Sequence, residues 1–185
     1  STEALRLAIM ITDASDSFSI DAFIFTAMIQ KESTFKLDAK SGTGSTGLTQ
    51  MTSIGLKELN HQYGFAKGKF TPAVPKILDA YALEFLGSRL DEWHTWIGNG
   101  KRSKSKLTKD IQFSLAAGAS LLKVYLALSK GNYNKALQKY NGDKAKAKYA
   151  RTIEGWSKKV DFVCQDVHEE ALATQTLACD MQAED

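Results

Sequence analysis

Two stretches of this chain, residues 20–32 and 110–128, are apolar at almost every position and keep helical spacing. The first holds Ala22, Phe23, Ile24, Phe25, Ala27, Met28 and Ile29; the second holds Ile111, Phe113, Leu115, Ala116, Ala117, Leu121, Leu122, Val124, Tyr125 and Leu126. A helix that is apolar all round has no face for water, so each must run through the middle of other helices. With two prolines in 185 residues and weak strand signals, this predicts an all-α single domain of about seven to nine helices.

The other segments supply the wrapping. Glu3 to Thr12 puts Leu5, Ala8, Ile9 and Ile11 or Thr12 on one side, as an amphipathic helix does. Asp13 to Ser19 reads as a polar break, with Ser19 the N-cap of the first core helix. Thr34 to Thr46 is a Ser, Thr and Gly-rich loop, and a short helix is expected from Thr52 to Tyr63. After a break at Gly64–Pro72, Pro75 opens a helix whose apolar spacing carries from Ile77 to Leu90 and on to about Trp93. Gly98 to Lys109 reads as a basic loop anchored only by Leu107. Gly131 closes the second core helix; further helices are expected over Asn132–Tyr140, Ala145–Val160 and Asp161–Met181.

The balance of 24 basic and 21 acidic residues gives a net charge of +3, which permits an anionic partner without demanding one. Nothing in it marks a nucleic-acid specialist. The longest apolar run, Ala22 to Ile29, is shorter than the roughly 20 residues that span a bilayer, so no transmembrane segment is expected. The chain opens on Ser1 with no signal-type stretch, which fits either a removed leader or a trimmed chain. Its two cysteines, Cys164 and Cys179, form either one disulfide pinning the tail or two free thiols.

Several motifs lead nowhere. Gly42, Gly44 and Gly47 spell a dinucleotide fingerprint, but no buried strand precedes them, so they serve close backbone approach or positive φ instead. His61, His94 and His168 are scattered without metal-ligand spacing. The run Lys101, Arg102, Lys104, Lys106, Lys109 lacks interleaved aromatics and reads as a solvated loop.

Glu32 is different. It closes a very apolar helix and is followed at once by the glycine-containing loop. The negative end of the helix dipole and apolar surroundings both disfavour its ionised form. That makes a carboxyl able to stay protonated towards neutral pH, which is what cleavage of a glycosidic bond needs.

The stretch Ala27-Met28-Ile29-Gln30-Lys31-Glu32-Ser33-Thr34-Phe35, then Ser41, then Gly47-Leu48-Thr49-Gln50-Met51-Thr52 resembles the signature of the soluble lytic transglycosylases and goose-type lysozymes. Ala117-Gly118-Ala119-Ser120-Leu121-Leu122, Gly131-Asn132-Tyr133-Asn134-Lys135-Ala136-Leu137 and Tyr140-Asn141-Gly142 resemble later family segments in the right order, and Tyr149 falls where a final active-site tyrosine is expected. The similarity covers about 20–153 and implies a lysozyme-like helical fold within a single catalytic domain, 1–185, with 158–185 as a C-terminal helical extension. It implies that Glu32 protonates the β-1,4 glycosidic oxygen between N-acetylmuramic acid and N-acetylglucosamine, then acts as base. Ser41, Gln50, Tyr140, Asn141 and Tyr149 are the implied substrate-binding residues. The chain departs from the family pattern at Thr49 and Thr52, at Lys139, and at Gly142-Asp143-Lys144-Ala145.

Hydrolytic glycosidases generally use two carboxylates. The goose-type lysozymes carry aspartates where this chain has Ser41 and Thr52, and Asp38 is the nearby acid that could substitute. A lytic transglycosylase needs one carboxyl group, because the muramic acid's own C6 hydroxyl attacks. The resemblance therefore favours a transglycosylase over a lysozyme, with a non-catalytic cell-wall-binding helical domain as the further alternative. It implies peptidoglycan glycan strands as partner, no nucleic acid, no metal and no cofactor, a monomer, and a periplasmic or secreted location in a bacterium or phage.

Overall fold

The computed structural model describes residues 2–65, 75–99, 104–142 and 145–159. The chain is all-helical over them: α1 (Thr2–Ser17), α2 (Ala22–Ser33), α3 (Ser53–Gln62), α4 (Pro75–Leu86), α5 (Leu90–Gly98), α6 (Ile111–Leu128) and α7 (Tyr133–Asn141). Residues 146–159 are helical as well. Short 3-10 turns occupy Gly87–Arg89 and Lys104–Thr108, and no strand occurs among the described residues.

The centre is α6, buried without a break from Phe113 to Leu122. Helices α1, α3, α4 and α7 pack against it, and α2 packs on α1. At 18 residues α6 is long and apolar enough to cross a membrane, which corrects the expectation that Ala22–Ile29 is the longest apolar run; 67% of it is buried inside this fold. Side-chain caps start the helices that matter most here. Asp21 accepts from the Ile24 amide at 2.8 Å, Asp110 from Phe113 at 3.2 Å, and Asn132 from Lys135 at 2.9 Å. Each cap is typically worth about 1 kcal/mol.

Four expectations about the elements are corrected. The break at Asp13–Ser19 is largely helix: α1 continues to Ser17, and its buried row is Ile11, Ala14 and then Phe18. Leu5 and Ile9 are on the solvent side, 64% and 51% exposed. The polar Ser15 is accommodated in the core because its hydroxyl donates to the Ile11 carbonyl at 2.7 Å. Ser19 is not the N-cap of α2; it is left-handed at φ 47°, its carbonyl is held by Lys123 Nζ at 2.9 Å, and Asp21 caps the helix. Finally, the run to Trp93 is two helices, broken at Gly87 with φ 54°.

Residues 104–109, the described end of the basic loop, are packed and paired where a solvated loop was expected. Leu107 is fully buried. Lys106 and Arg89 stand over the Phe113 ring, at 4.5 and 4.7 Å from its centroid. Both pair with Glu92 and Asp110. Lys104 donates to the Gly44 carbonyl at 2.6 Å. Lys101, Arg102, His168, Cys164, Cys179 and the expected helix over Asp161–Met181 lie outside the described residues.

Candidate active site

The end of α2 fixes Glu32. Ser33 is buried and its hydroxyl donates to the Ile29 carbonyl at 3.2 Å. Thr34 caps the helix in the left-handed region (φ 51°, ψ 41°), its amide donating to Gln30. Phe35 follows at φ 62°. Two successive non-glycine residues in this region cost on the order of 1–3 kcal/mol each, the kind of strain that persists where a turn is over-determined by its surroundings. The result is a chain that leaves the helix sharply, directly after the carboxyl group.

The loop that follows is docked on α6. Gly47 has φ 82°, and a Cβ there would lie 2.6 Å from Ser114 Oγ and 2.7 Å from the Leu107 carbonyl oxygen. The Leu48 amide donates to Ser114 Oγ at 2.9 Å, and Thr49 Oγ1 donates to the Ser114 carbonyl at 3.2 Å. Gly118 makes room for Thr49: a Cβ on it would fall 2.3 Å from Thr49 Cγ2. The glycine motif and the Ala117-Gly118 motif are thus two sides of one contact. Gln50, itself left-handed at φ 46°, donates its side-chain amide to Ala39 at 3.1 Å and Gly47 at 3.0 Å.

On the opposite side α7 and segment 146–159 bring two tyrosines. Tyr149, only 7% exposed, donates its hydroxyl to Oε1 of Glu32 in a short hydrogen bond. Tyr140 donates to the Thr49 carbonyl at 2.9 Å, linking α7 to the docked loop. Its ring meets Tyr125 of α6 edge-on at 6.4 Å. Burial and the Glu32 charge raise the pKa of both Tyr140 and Tyr149 far above the ordinary range, so both stay protonated donors.

Glu32 itself is half-buried. Burial raises its pKa above the usual carboxylate value, with the Tyr149 hydrogen bond and the Lys31 charge acting the other way. The side chains that lower it are a phenol and an ammonium.

The expected site residues are therefore not all alike. Glu32, Tyr140 and Tyr149 are brought together. Asn141 ends α7 beside Tyr140. Gln50 has its amide committed to the loop backbone, and Ser41 accepts from the Ser45 amide at 2.9 Å and bonds Thr43 at 3.0 Å. Asp38 is exposed, and Thr52 serves as the N-cap of α3, accepting from Gly55 at 2.9 Å. Sequence reading missed Tyr125, counted only as part of an apolar helix, and the Thr49 carbonyl, which no side-chain pattern reports. It also missed Lys104 as a latch on the loop.

An all-helical domain in which the end of one core helix, a glycine loop seated on another and two tyrosines converge is of the lysozyme-like class. The sequence profile of the family described as Transglycosylase SLT domain matches residues 9–163, and the chain belongs to that family. Membership carries lytic transglycosylase-type cleavage of peptidoglycan. No curated protein and no solved structure matches the chain.

Proposed function

We propose that the chain cleaves the β-1,4 bond between N-acetylmuramic acid and N-acetylglucosamine, with Glu32 as the one catalytic acid/base, and releases 1,6-anhydromuramyl products. The observation that carries this reading is the Tyr149 hydroxyl on Oε1 of a Glu32 whose pKa burial has raised. With Tyr149 donating to Oε1, the proton of the neutral carboxyl sits on Oε2. That oxygen protonates the glycosidic oxygen as the bond to C1 breaks, and the substrate acetamido group helps stabilise the developing positive charge. The carboxylate left behind then takes the proton of the muramic acid C6 hydroxyl as that oxygen attacks C1, and Glu32 ends the cycle protonated.

Tyr140 and Asn141 are the residues proposed to bound the sugar site, and Ser41 to approach the acetamido group. Gln50 is proposed to act on substrate through the loop it holds. The one-carboxylate chemistry is supported by Ser41 and Thr52, which stand where the goose-type lysozymes carry aspartates and cannot act as the base for water. Residues 1–185 are proposed as one catalytic domain acting as a monomer. It would work wherever peptidoglycan is met: periplasm, cell exterior or phage particle. The test is mass spectrometry of muropeptides released from purified peptidoglycan. Products one water lighter than the reducing sugars are expected. Reducing ends in their place would make the chain a lysozyme and turn attention to Asp38.

A further inference from the structure

Positive charge is gathered on one stretch of this chain. Residues 130–159 hold nine basic residues and two acidic ones, Asp143 and Glu154, in a chain whose net charge is only +3. Three of those lysines, Lys135 and Lys139 of α7 and Lys146 of the segment that follows, line one hollow of 300 Å³ together with Gln138. All three are exposed, and among the described residues no carboxylate belongs to the lining. Lys135 and Lys139 sit one helical turn apart on the same face, where like charges repel.

Among the described residues none of the three lysines has an acidic partner: the ion pairs are all made by Arg89, His94 and Lys106. Glu154 is taken by Asn134, whose Nδ2 donates to it at 2.8 Å. Asn134 in turn accepts from Gln138 at 2.6 Å. Asp143 and Lys144, adjacent in sequence, bring one charge of each sign and leave the balance of the stretch positive. The two elements that form the hollow are also those that deliver Tyr140 and Tyr149 to the site. Lys139 directly precedes Tyr140, and Lys146 stands three residues before Tyr149. Lys139 is one of the positions at which the chain departs from the family pattern, so the hollow belongs to this chain rather than to the family.

We propose that Lys135, Lys139 and Lys146 form a carboxylate-binding subsite beside the cleft, which takes the free carboxylates of the stem peptide on muramic acid. The inference rests on the peptidoglycan-cleaving reading: the stem peptide hangs from the same sugar whose bond is cut, so its carboxylates reach the elements that carry Tyr140 and Tyr149. A lysine ammonium is a hydrated point charge on a flexible stem, suited to the mobile carboxylates of a peptide. Exposed pairs of this kind are individually weak and are screened by salt. Three together give selectivity for glycan with charged stems over glycan with amidated ones.

The test is binding of the full chain to insoluble peptidoglycan, measured by co-sedimentation with Glu32→Gln present throughout to keep the glycan intact. Two substrates, both stripped of phosphodiester polymers, are compared: one with its stem carboxylates free, the other with them converted to carboxamides by carbodiimide and ammonia. The apparent Kd is expected to be about 10-fold lower for the free carboxylates in ~0.01 M salt, and the preference to vanish in ~1 M salt. Lys135→Gln, Lys139→Gln and Lys146→Gln together should abolish the preference, and the three Arg replacements should keep it. Equal binding of the two substrates, or a preference that survives the triple Gln variant, would overturn the inference. So would lysine-dependent binding seen only where phosphodiester polymers are left on the wall, which would assign the hollow to them. Because the readout is binding, the two readings fail separately: a chain that shows the preference yet, with Glu32 intact, releases no muropeptide keeps the subsite and loses the proposed reaction.

Discussion

The Tyr149 hydroxyl donates to Oε1 of Glu32 across 117 residues of chain. That single bond joins the C-terminal turn of α2 to segment 146–159. It also lowers the carboxyl pKa against the burial that raises it. The geometry and the acidity of Glu32 are therefore both adjustable from one remote side chain.

Tyr149→Phe separates the two effects. Removing the hydroxyl deletes a hydrogen bond to the charged form of Glu32, so the carboxyl pKa rises further. Activity needs the protonated acid and is lost as pH climbs through that pKa. The alkaline limb of the kcat/KM profile is expected to move to higher pH while the maximum falls about 10- to 100-fold, as loss of a charge-assisted bond of about 1.5–3 kcal/mol implies. A lower maximum on an unmoved limb would make Tyr149 a packing residue only.

Burial also leaves a signature in stability. Because the folded-state pKa of Glu32 is raised, its contribution is full below the ordinary carboxylate value and is lost as pH rises through the folded value. Glu32→Gln removes the ionisation and keeps the shape. The variant is expected to melt about 2 to 4 °C above the parent at neutral pH, the shift that about 1 kcal/mol makes in a domain of this size. The gap should close at pH below the ordinary carboxyl value of 4.5. Thermal unfolding at the two pH values checks it.

The glycines of the loop divide by what a methyl group would meet. Gly47→Ala would drive Cβ to 2.7 Å from the Leu107 carbonyl at a φ of 82°, and a loss of about 2–4 kcal/mol is expected. Gly42→Ala meets nothing within 4 Å and should stay within about 0.5 kcal/mol of the parent. Urea unfolding distinguishes them. Equal sensitivity would show that the close approach of Leu107 and Ser114 does not set the requirement at Gly47.

Gln50→Glu sets a carboxylate against the Ala39 and Gly47 carbonyls that the amide now serves. Stability should fall by about 1–3 kcal/mol, with glycan release falling alongside it. A raised KM at unchanged stability would show instead that Gln50 meets the sugar directly.

The core was readable because periodicity reports it: the uniform apolarity of α6 and α2 has one solution, burial. The end of α1 was not, because Asp13, Ser15, Asp16 and Ser17 look like a break until Ile11, Ala14 and Phe18 are seen to make one buried row. Local polarity lost there to packing against α4 and α6. Asp21 outcompeted Ser19 as N-cap because Ser19 is held left-handed by the turn. At the site, the position of Glu32 at a helix end was legible from the chain alone. Its pairing with Tyr149 was legible only through the resemblance, since no local rule links residues so far apart. The Thr49 carbonyl that anchors Tyr140 is a backbone atom and leaves no mark in side-chain spacing. The apparent dinucleotide fingerprint is the reverse case: the spacing exists, but Gly47 is required by Leu107 and Ser114 rather than by a phosphate.

The central claim is that Glu32 is the acid/base of the reaction. It is tested most directly by the rate at which Glu32→Gln releases soluble muropeptides from purified peptidoglycan, with circular dichroism to verify the fold. A fall of at least ~10²-fold in a folded protein is the predicted result, since general acid catalysis contributes that much or more. Release within a factor of about two of the parent rate would contradict the account and place the chemistry on another residue.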